Sequence, residues 1–139
     1  MTGGTGRQVY FEDVEIGAPL ETPAITLTET HMNLFGGLID ARPADPLAVH
    51  DLLPLCLSSG LGWRVPQPPL VVLAFMGFEW QFLRPARVGD TIRSVSRTVN
   101  KRPLREAGVI IEKRDILNQR DEVVQSGRLT LLVARRPAP

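Results

Sequence analysis

The chain has 139 residues, of which 43% are apolar and 22% are charged, and its formal net charge is +1. This balance predicts one globular domain, and the near-zero charge argues against nucleic-acid binding, which needs a clear basic excess. The single cysteine excludes an intrachain disulfide and a cysteine-based metal cage. We expect a cytoplasmic protein, because no apolar run reaches the roughly 20 residues of a membrane span and the polar, glycine-rich start lacks the apolar stretch of a signal peptide.

The sequence contains no internal repeat and no linker long enough to separate two domains, so we expect a single domain over residues 10–135, with flexible tails over 1–9 and 136–139. Within the domain, an aromatic pair followed by alternating acidic and apolar residues predicts a short entry strand or an extended arm over 10–16. A second short extended segment is expected over 24–27.

A first helix is predicted over residues 29–39. Thr28 offers a hydroxyl for the N-cap, and apolar residues follow it at spacings of three and four. We expect His31, in the first turn of this helix, to face solvent.

Two further apolar segments predict helices. Leu47–Ser59 is expected to be helical, with a kink at Pro54 and with Cys56 as a small core residue. The run Leu70–Phe78 is apolar almost throughout, which is typical of either a strand or a buried helix. The proline before it and its Ala, Met and Leu content favour a buried helix that ends near Gly77.

Strand signals dominate the rest of the chain, where alternation and β-branched residues predict strands over 79–84, 91–101, 109–118 and 123–134. An antiparallel sheet packed on the buried helix would cover the apolar run, so the predicted fold class is α+β. Lys101, Arg102 and Arg105 cluster at one hairpin tip. We expect a solvated turn there, with contact to coenzyme A phosphates or an acidic carrier protein as the alternative.

Three segments, in this order, resemble the MaoC-like dehydratases, also called R-specific enoyl-CoA hydratases. They are the aromatic, acidic start Tyr10–Gly17, the helix start Thr26–Glu29, and the turn Phe82–Thr91 with its Arg-Pro and Gly-Asp-Thr. The resemblance implies the hotdog fold, in which a curved antiparallel sheet wraps a central helix. It also implies a homodimer or a heterodimer with a related hotdog chain, and a thioester of coenzyme A or of an acyl carrier protein as substrate. No metal or redox cofactor is implied.

The active-site loop of that family follows the first helix and reads Asp, any residue, Asn-Pro, an aliphatic residue and His. The segment Asp45–His50 keeps the spacing of five between acid and histidine but lacks the Asn-Pro pair. The segment Asp40–Asp45 keeps the position and the proline, with Arg42 in place of Asn and a carboxylate in place of His. A gapless alignment retains neither catalytic residue, so three registers stay open.

In the first register, Asp45 activates water and His50 is its partner acid or base, as the syn hydration of an enoyl thioester requires. The ordinary alternative makes Asp45 a helix cap and His50 a polar surface residue. Asp40 is a candidate substrate contact, with a helix-end or turn role as its alternative.

The resemblance further implies an Ala-His-Gly tripeptide before the central helix, whose glycine N–H donates to the thioester carbonyl. If the central helix is 70–78, the matching stretch is Val65–Pro69, where the prolines have no N–H to donate. The nearby donors are the N–H of Gln67 or of Leu70 and the side-chain amide of Gln67, so Gln67 is a candidate donor. Trp63, in the preceding loop, is a candidate for lining the acyl tunnel, with packing as its ordinary alternative.

The resemblance favours a hydratase or dehydratase acting on an acyl thioester. The departures from the family's motifs favour an alternative, a catalytically silent hotdog subunit that binds an acyl chain or completes a heteromeric dehydratase. A third alternative is an acyl-CoA thioesterase, for which Glu79 at the end of the predicted central helix would be the carboxylate.

Overall fold

The computed structural model describes residues 7–40 and 44–139 and shows two α-helices against one antiparallel sheet. In chain order the elements are a 3-10 turn (Phe11–Asp13), β1 (Leu20–Glu21), β2 (Ile25–Thr26), α1 (Glu29–Ile39), α2 (Leu52–Leu61), a second 3-10 turn (Gly62–Arg64), β3 (Val72–Phe82), β4 (Thr91–Pro103), β5 (Ala107–Leu117) and β6 (Val123–Ala134). None of the helices in this part of the chain is long and apolar enough to cross a membrane. Residues 1–6 of the expected tail at 1–9, and residues 41–43 of the Asp40–Asp45 register, lie outside the described residues.

The sheet is built on two consecutive hairpins. Its strand order is β1-β4-β5-β6-β3, and β2 also pairs with β4. All of these pairings are antiparallel. The last three predicted strands are confirmed, because β4, β5 and β6 begin and end within two residues of the predicted bounds. The α+β class with an antiparallel sheet is therefore confirmed.

The central helix of the fold is α2. Its Leu53 packs in a buried cluster with Ile92 of β4 and Ile116 of β5. Nearer its C-terminal end, the Arg114 side chain of β5 donates from Nη1 to the Ser58 hydroxyl at 3.0 Å. Apolar burial therefore holds the first turn of α2 on the sheet, and a buried polar contact holds its second half.

The predicted buried helix at 70–78 is wrong, because this run forms most of β3. Val72–Phe82 pairs with β6 along its whole length, with two bulges, and β6 supplies the backbone partners that a helix would supply internally. Periodicity cannot separate these two outcomes in a short apolar run. β3 lies at the sheet edge and leaves six large apolar side chains 45–55% exposed: Val72, Leu73, Phe75, Met76, Phe78 and Phe82.

The second helix begins later than predicted, at Leu52 rather than Leu47. Pro54 then falls at the third helical position, where its missing N–H would have had no intrahelical partner, so no kink is needed. The segment before the helix contains bends and turns instead, and Ala48 pairs with Arg87 in an isolated bridge. Cys56 is exposed on the outer side of α2, which corrects its prediction as a core residue.

The helix predicted over 29–39 is confirmed as α1, with Thr28 as its N-cap. The Thr28 hydroxyl accepts from the His31 N–H at 3.3 Å, and the Thr28 N–H donates to Nδ1 of His31 at 3.1 Å. His31 is half-buried and closes the helix start, which corrects its prediction as a solvent-facing side chain.

The entry strand predicted over 10–16 is wrong, since Phe11–Asp13 forms a 3-10 turn. The Tyr10 N–H donates to the Asp13 carboxylate at 3.0 Å, and this local bond competes with strand pairing. The adjacent Glu12 accepts from the Arg136 N–H at 2.8 Å. The Arg136 N–H, the N–H of Glu12 itself and the Arg135 side chain lower the pKa of Glu12 to about 2.

Candidate functional site

The candidate site lies at the start of α2, where His50 is fixed by main-chain bonds. Nδ1 of His50 accepts from the Leu52 N–H at 3.1 Å, and the His50 carbonyl accepts from the Leu53 N–H at 3.0 Å. The ring packs against Phe35 of α1, with centroids 5.2 Å apart. Because Nδ1 is an acceptor, the neutral imidazole carries its proton on Nε2. His50 therefore presents an N–H donor on its far side.

Asp51 follows as the N-cap residue of α2. Its side chain makes no capping hydrogen bond, and its N–H has no hydrogen-bond partner within residues 7–40 and 44–139. Its carbonyl accepts from the Gln125 side chain at 2.7 Å. The helix dipole adds partial positive charge at this end. The start of α2 therefore offers an N–H suited to a developing negative charge on a ligand oxygen.

Asp45 is held ionised in the segment that leads to α2. One carboxylate oxygen accepts from the Leu47 N–H at 2.9 Å, and the other lies 3.2 Å from the Arg87 guanidinium. The Leu47 N–H, and secondarily the Arg87 charge, lower the pKa of Asp45. The carboxylate is therefore an acceptor at neutral pH, with both oxygens engaged.

The predicted pair of Asp45 and His50 is brought into one short segment but not into direct contact. Among the described side chains, no hydrogen bond joins the two; each bonds to a main-chain N–H instead. Asp40 is the C-cap of α1 in left-handed conformation, with φ 51° and ψ 43°, and its N–H donates to the Gly36 carbonyl. Its main chain therefore ends a helix, as the ordinary alternative predicted, and its substrate contact stays a prediction.

Trp63 and Gln67 lie beyond the other end of α2. Trp63 belongs to the 3-10 turn after Leu61 and is 77% exposed, and Gln67 is exposed in the following loop. A helix of ten residues separates its ends by about 15 Å. The premise that Val65–Pro69 precedes the central helix is wrong, because a strand follows this stretch; the roles of Gln67 and Trp63 stay predictions.

The tripeptide that does precede the central helix is Val49-His50-Asp51. It keeps the histidine of the expected Ala-His-Gly and places Asp51, which has an N–H, at the glycine position. A correct start for α2 would have identified Asp51 from the sequence. Gln125 gave no such signal, because it is one polar residue of a strand and lies 74 residues from Asp51.

Two other features considered from the sequence, Glu79 and the basic hairpin cluster, lie away from the start of α2. Glu79 lies in the middle of β3 and not at a helix end, so the helix carboxylate expected for a thioesterase is wrong. Lys101 donates to the Val14 carbonyl at 2.8 Å and lies 4.6 Å from the Phe11 ring centroid. The basic hairpin cluster is therefore divided, with one of its three cations engaged in packing.

Several solved structures share the fold of this chain. A monoamine oxidase regulatory protein from Archaeoglobus is 28% identical, with a TM-score of 0.84 over 94% of this chain and 97% of that one. A MaoC-like dehydratase from Rhodospirillum rubrum is 21% identical, with a TM-score of 0.81 over 94% and 99% of the two chains. An R-hydratase from Pseudomonas aeruginosa is 18% identical, with a TM-score of 0.77 over 93% and 88%. No protein-family model and no curated protein matches.

One further solved structure bears on assembly. A conserved hypothetical protein from Mycobacterium tuberculosis with a double hotdog fold is 18% identical, with a TM-score of 0.77 over 95% of this chain and 46% of that one. This chain thus spans about half the length of that protein. The resemblance predicted from the sequence motifs is confirmed, and the chain has the hotdog fold of the MaoC-like dehydratases and R-hydratases.

Proposed function

We propose that the chain binds an acyl thioester at the start of α2 and catalyses addition or removal of water at the 2,3 position of the acyl group. One observation carries the proposal: His50 and Asp51 are adjacent residues directly before the central helix, and they offer two N–H donors, one on the imidazole and one on the main chain. The names of the structural neighbours, a dehydratase and an R-hydratase, support the reaction class. Coenzyme A or an acyl carrier protein would carry the acyl group.

In this proposal the two donors polarise the thioester carbonyl. The Asp51 N–H and the Nε2–H of His50 donate to the carbonyl oxygen, whose negative charge grows as water attacks C3. The tautomer of His50 thus makes it a donor to the carbonyl rather than the acid or base expected from the sequence. The positive end of the α2 dipole stabilises the same charge.

In this proposal Asp45 transfers the proton, first as a general base and then as a general acid. Its lowered pKa keeps it in the basic form at neutral pH. It takes a proton from the water as the water oxygen bonds to C3, and it returns that proton to C2 as the carbonyl re-forms. Because one carboxylate takes and returns the proton, hydroxyl and hydrogen add to the same face of the double bond.

The proposal is tested with the purified chain and short and medium trans-2-enoyl-CoA, following loss of the enoyl thioester absorbance. We expect hydration that falls by about 100-fold or more in His50→Ala. His31→Ala is the matched control, because Nδ1 of His31 also accepts a main-chain N–H at a helix start. Full activity in His50→Ala would overturn the assignment.

A second candidate function, a catalytically silent subunit, is favoured by the state of Asp45. Both of its carboxylate oxygens are engaged, and within the described residues it has no bond to His50. Such a subunit would bind an acyl chain or complete a dehydratase with a related chain. Calorimetry that detects acyl-CoA binding, together with no hydration and no release of free thiol, would select this function over the hydratase and the thioesterase.

The edge strand β3 is the proposed interface with that second hotdog chain. Its six exposed apolar side chains and its one open side favour pairing with another strand edge. We propose a homodimer or a heterodimer through β3. Sedimentation analysis of the wild type and of Phe75→Lys tests this: the wild type should associate, and the variant should shift toward monomer.

A further inference from the structure

A chain of hydrogen bonds runs from the sheet to the candidate site. The Trp80 indole N–H donates to Oε1 of Gln125 at 2.9 Å, and Nε2 of Gln125 donates to the Asp51 carbonyl at 2.7 Å. The next peptide N–H, of Leu52, donates to Nδ1 of His50 at 3.1 Å. This series of hydrogen bonds thus begins on an indole of β3 and ends on the imidazole at the start of α2.

The last two bonds share one peptide group. The Asp51 carbonyl and the Leu52 N–H belong to the same planar unit, so a rotation that moves the oxygen also moves the hydrogen. Gln125 holds the oxygen side of this unit, and His50 accepts from its hydrogen side. A change at Gln125 therefore changes the donor that His50 receives.

The orientation of the Gln125 amide follows from its partners. An indole N–H only donates and a carbonyl only accepts, so the amide oxygen faces Trp80 and the amide nitrogen faces Asp51. Gln125 is 2% exposed, which leaves little room for water to replace either bond. Every hydrogen bond in this series donates in the direction from Trp80 toward His50. In such an arrangement each bond polarises the next.

We infer that Gln125 is a positioning residue, which sets the ring orientation and the Nε2–H tautomer of His50. The inference rests on the proposed function for its catalytic meaning, because the donor proton on Nε2 is the one that would meet the thioester carbonyl. A bridging main-chain group lies between Gln125 and His50, so Gln125 acts through the Asp51–Leu52 peptide. A purely structural role, as a brace between β6 and α2, is the alternative that the test must separate.

The experiment compares Gln125→Met with Ser58→Ala. Methionine has a similar length and cannot donate to the Asp51 carbonyl. Ser58 is 1% exposed and links the other half of α2 to the sheet through Arg114, so its loss weakens a brace without removing any of the hydrogen bonds that lead to His50. Gln125→Leu, which lacks both the donor and the acceptor, is a second variant in case Gln125→Met does not fold.

The primary measurement is the nitrogen NMR spectrum of the His50 imidazole at a pH where the ring is neutral. We expect a single Nε2–H tautomer in the wild type and in Ser58→Ala, and a mixture of tautomers in Gln125→Met and Gln125→Leu. In hydration assays, kcat should fall by about 10- to 100-fold in both Gln125 variants with KM nearly unchanged. A wild-type tautomer in both Gln125 variants would overturn the inference.

The two proposals fail in distinguishable ways. If the tautomer shifts in the Gln125 variants but even the wild type hydrates no substrate, the positioning role stands and the proposed reaction is wrong. If the wild type is active and the Gln125 variants match Ser58→Ala in tautomer, kcat and melting temperature, Gln125 is only a brace.

Discussion

The N-termini of the two helices share one hydrogen-bond pattern but differ in their capping. At both starts, Nδ1 of a histidine accepts a main-chain N–H: that of Thr28 at α1 and that of Leu52 at α2. At α1 the bond is reciprocal, because Thr28 also accepts from the His31 N–H. At α2 the N-cap residue makes no side-chain bond to the helix, and its carbonyl is bonded to Gln125 of the sheet instead. The comparison shows that the same side-chain contact can accompany a capped helix start or hold an imidazole at an uncapped one.

The largest expected effect concerns how α2 is stabilised without a side-chain cap. Leu53 is 5% exposed within the core, whereas its neighbour Leu52 is 43% exposed. We expect Leu53→Ala to lower the free energy of unfolding by about 2–5 kcal/mol and Leu52→Ala to change it by less than about 1 kcal/mol. Urea unfolding measures both. Equal losses would mean that burial in the first turn does not hold α2.

A smaller effect tests the closed start of α1 directly. Thr28→Ala removes the acceptor for the His31 N–H and should cost about 1 kcal/mol, while Thr28→Ser should cost little. Asp51→Ala, at the same position of α2, removes no side-chain capping bond and should leave the free energy of unfolding nearly unchanged. If Asp51→Ala is as costly as Thr28→Ala, the two starts do not differ as described.

The smallest effect is a pH dependence in the segment that leads to α2. The Leu47 N–H, followed by Arg87, lowers the pKa of Asp45 below its ordinary value of 3.8. The ionised carboxylate therefore stabilises the folded state above that ordinary value, and the contribution is lost as the pH falls through the lower folded value.

The measurement is urea unfolding of the wild type and Asp45→Asn from neutral pH down to roughly pH 3. The difference between the two should be constant near neutrality and shrink in acid. Arg87→Met should keep most of this dependence, because the Leu47 N–H is the larger cause. A difference that grows in acid would contradict the assigned direction.

Local signals predicted a large part of the fold. The Thr28 hydroxyl followed by apolar residues at helical spacing gave α1, and β-branched alternation gave β4, β5 and β6. The second half of β3 was predicted by the strand at 79–84, but its first half was taken for a helix. The partner of β3 is β6, some fifty residues later in the chain, and an apolar run does not reveal whether a neighbouring strand will take its backbone groups. The start of α2 was missed because Pro54 suits a first turn as well as a kink.

The sequence predicted only those candidate-site residues that lie close to one another along the chain. Family spacing identified His50 and Asp45 as candidates, since both lie in one short segment. Asp51 could be recognised as a candidate only from the correct start of α2. The wrong helix prediction for 70–78 placed the central helix too late in the chain. Gln125 could not be found, because its role comes from a contact that the hairpin of β5 and β6 brings to the start of α2.

Trp80, the first donor of the bond chain that reaches His50, lies on β3, the strand at the open edge of the sheet. If a second chain pairs with this edge as proposed, it acts on the strand that carries the indole, and association and the arrangement of His50 are then thermodynamically linked. Such linkage is reciprocal. In that assembly, a ligand that favours one arrangement of His50 would change the affinity of β3 for its partner by the same factor by which the partner changes the affinity for the ligand.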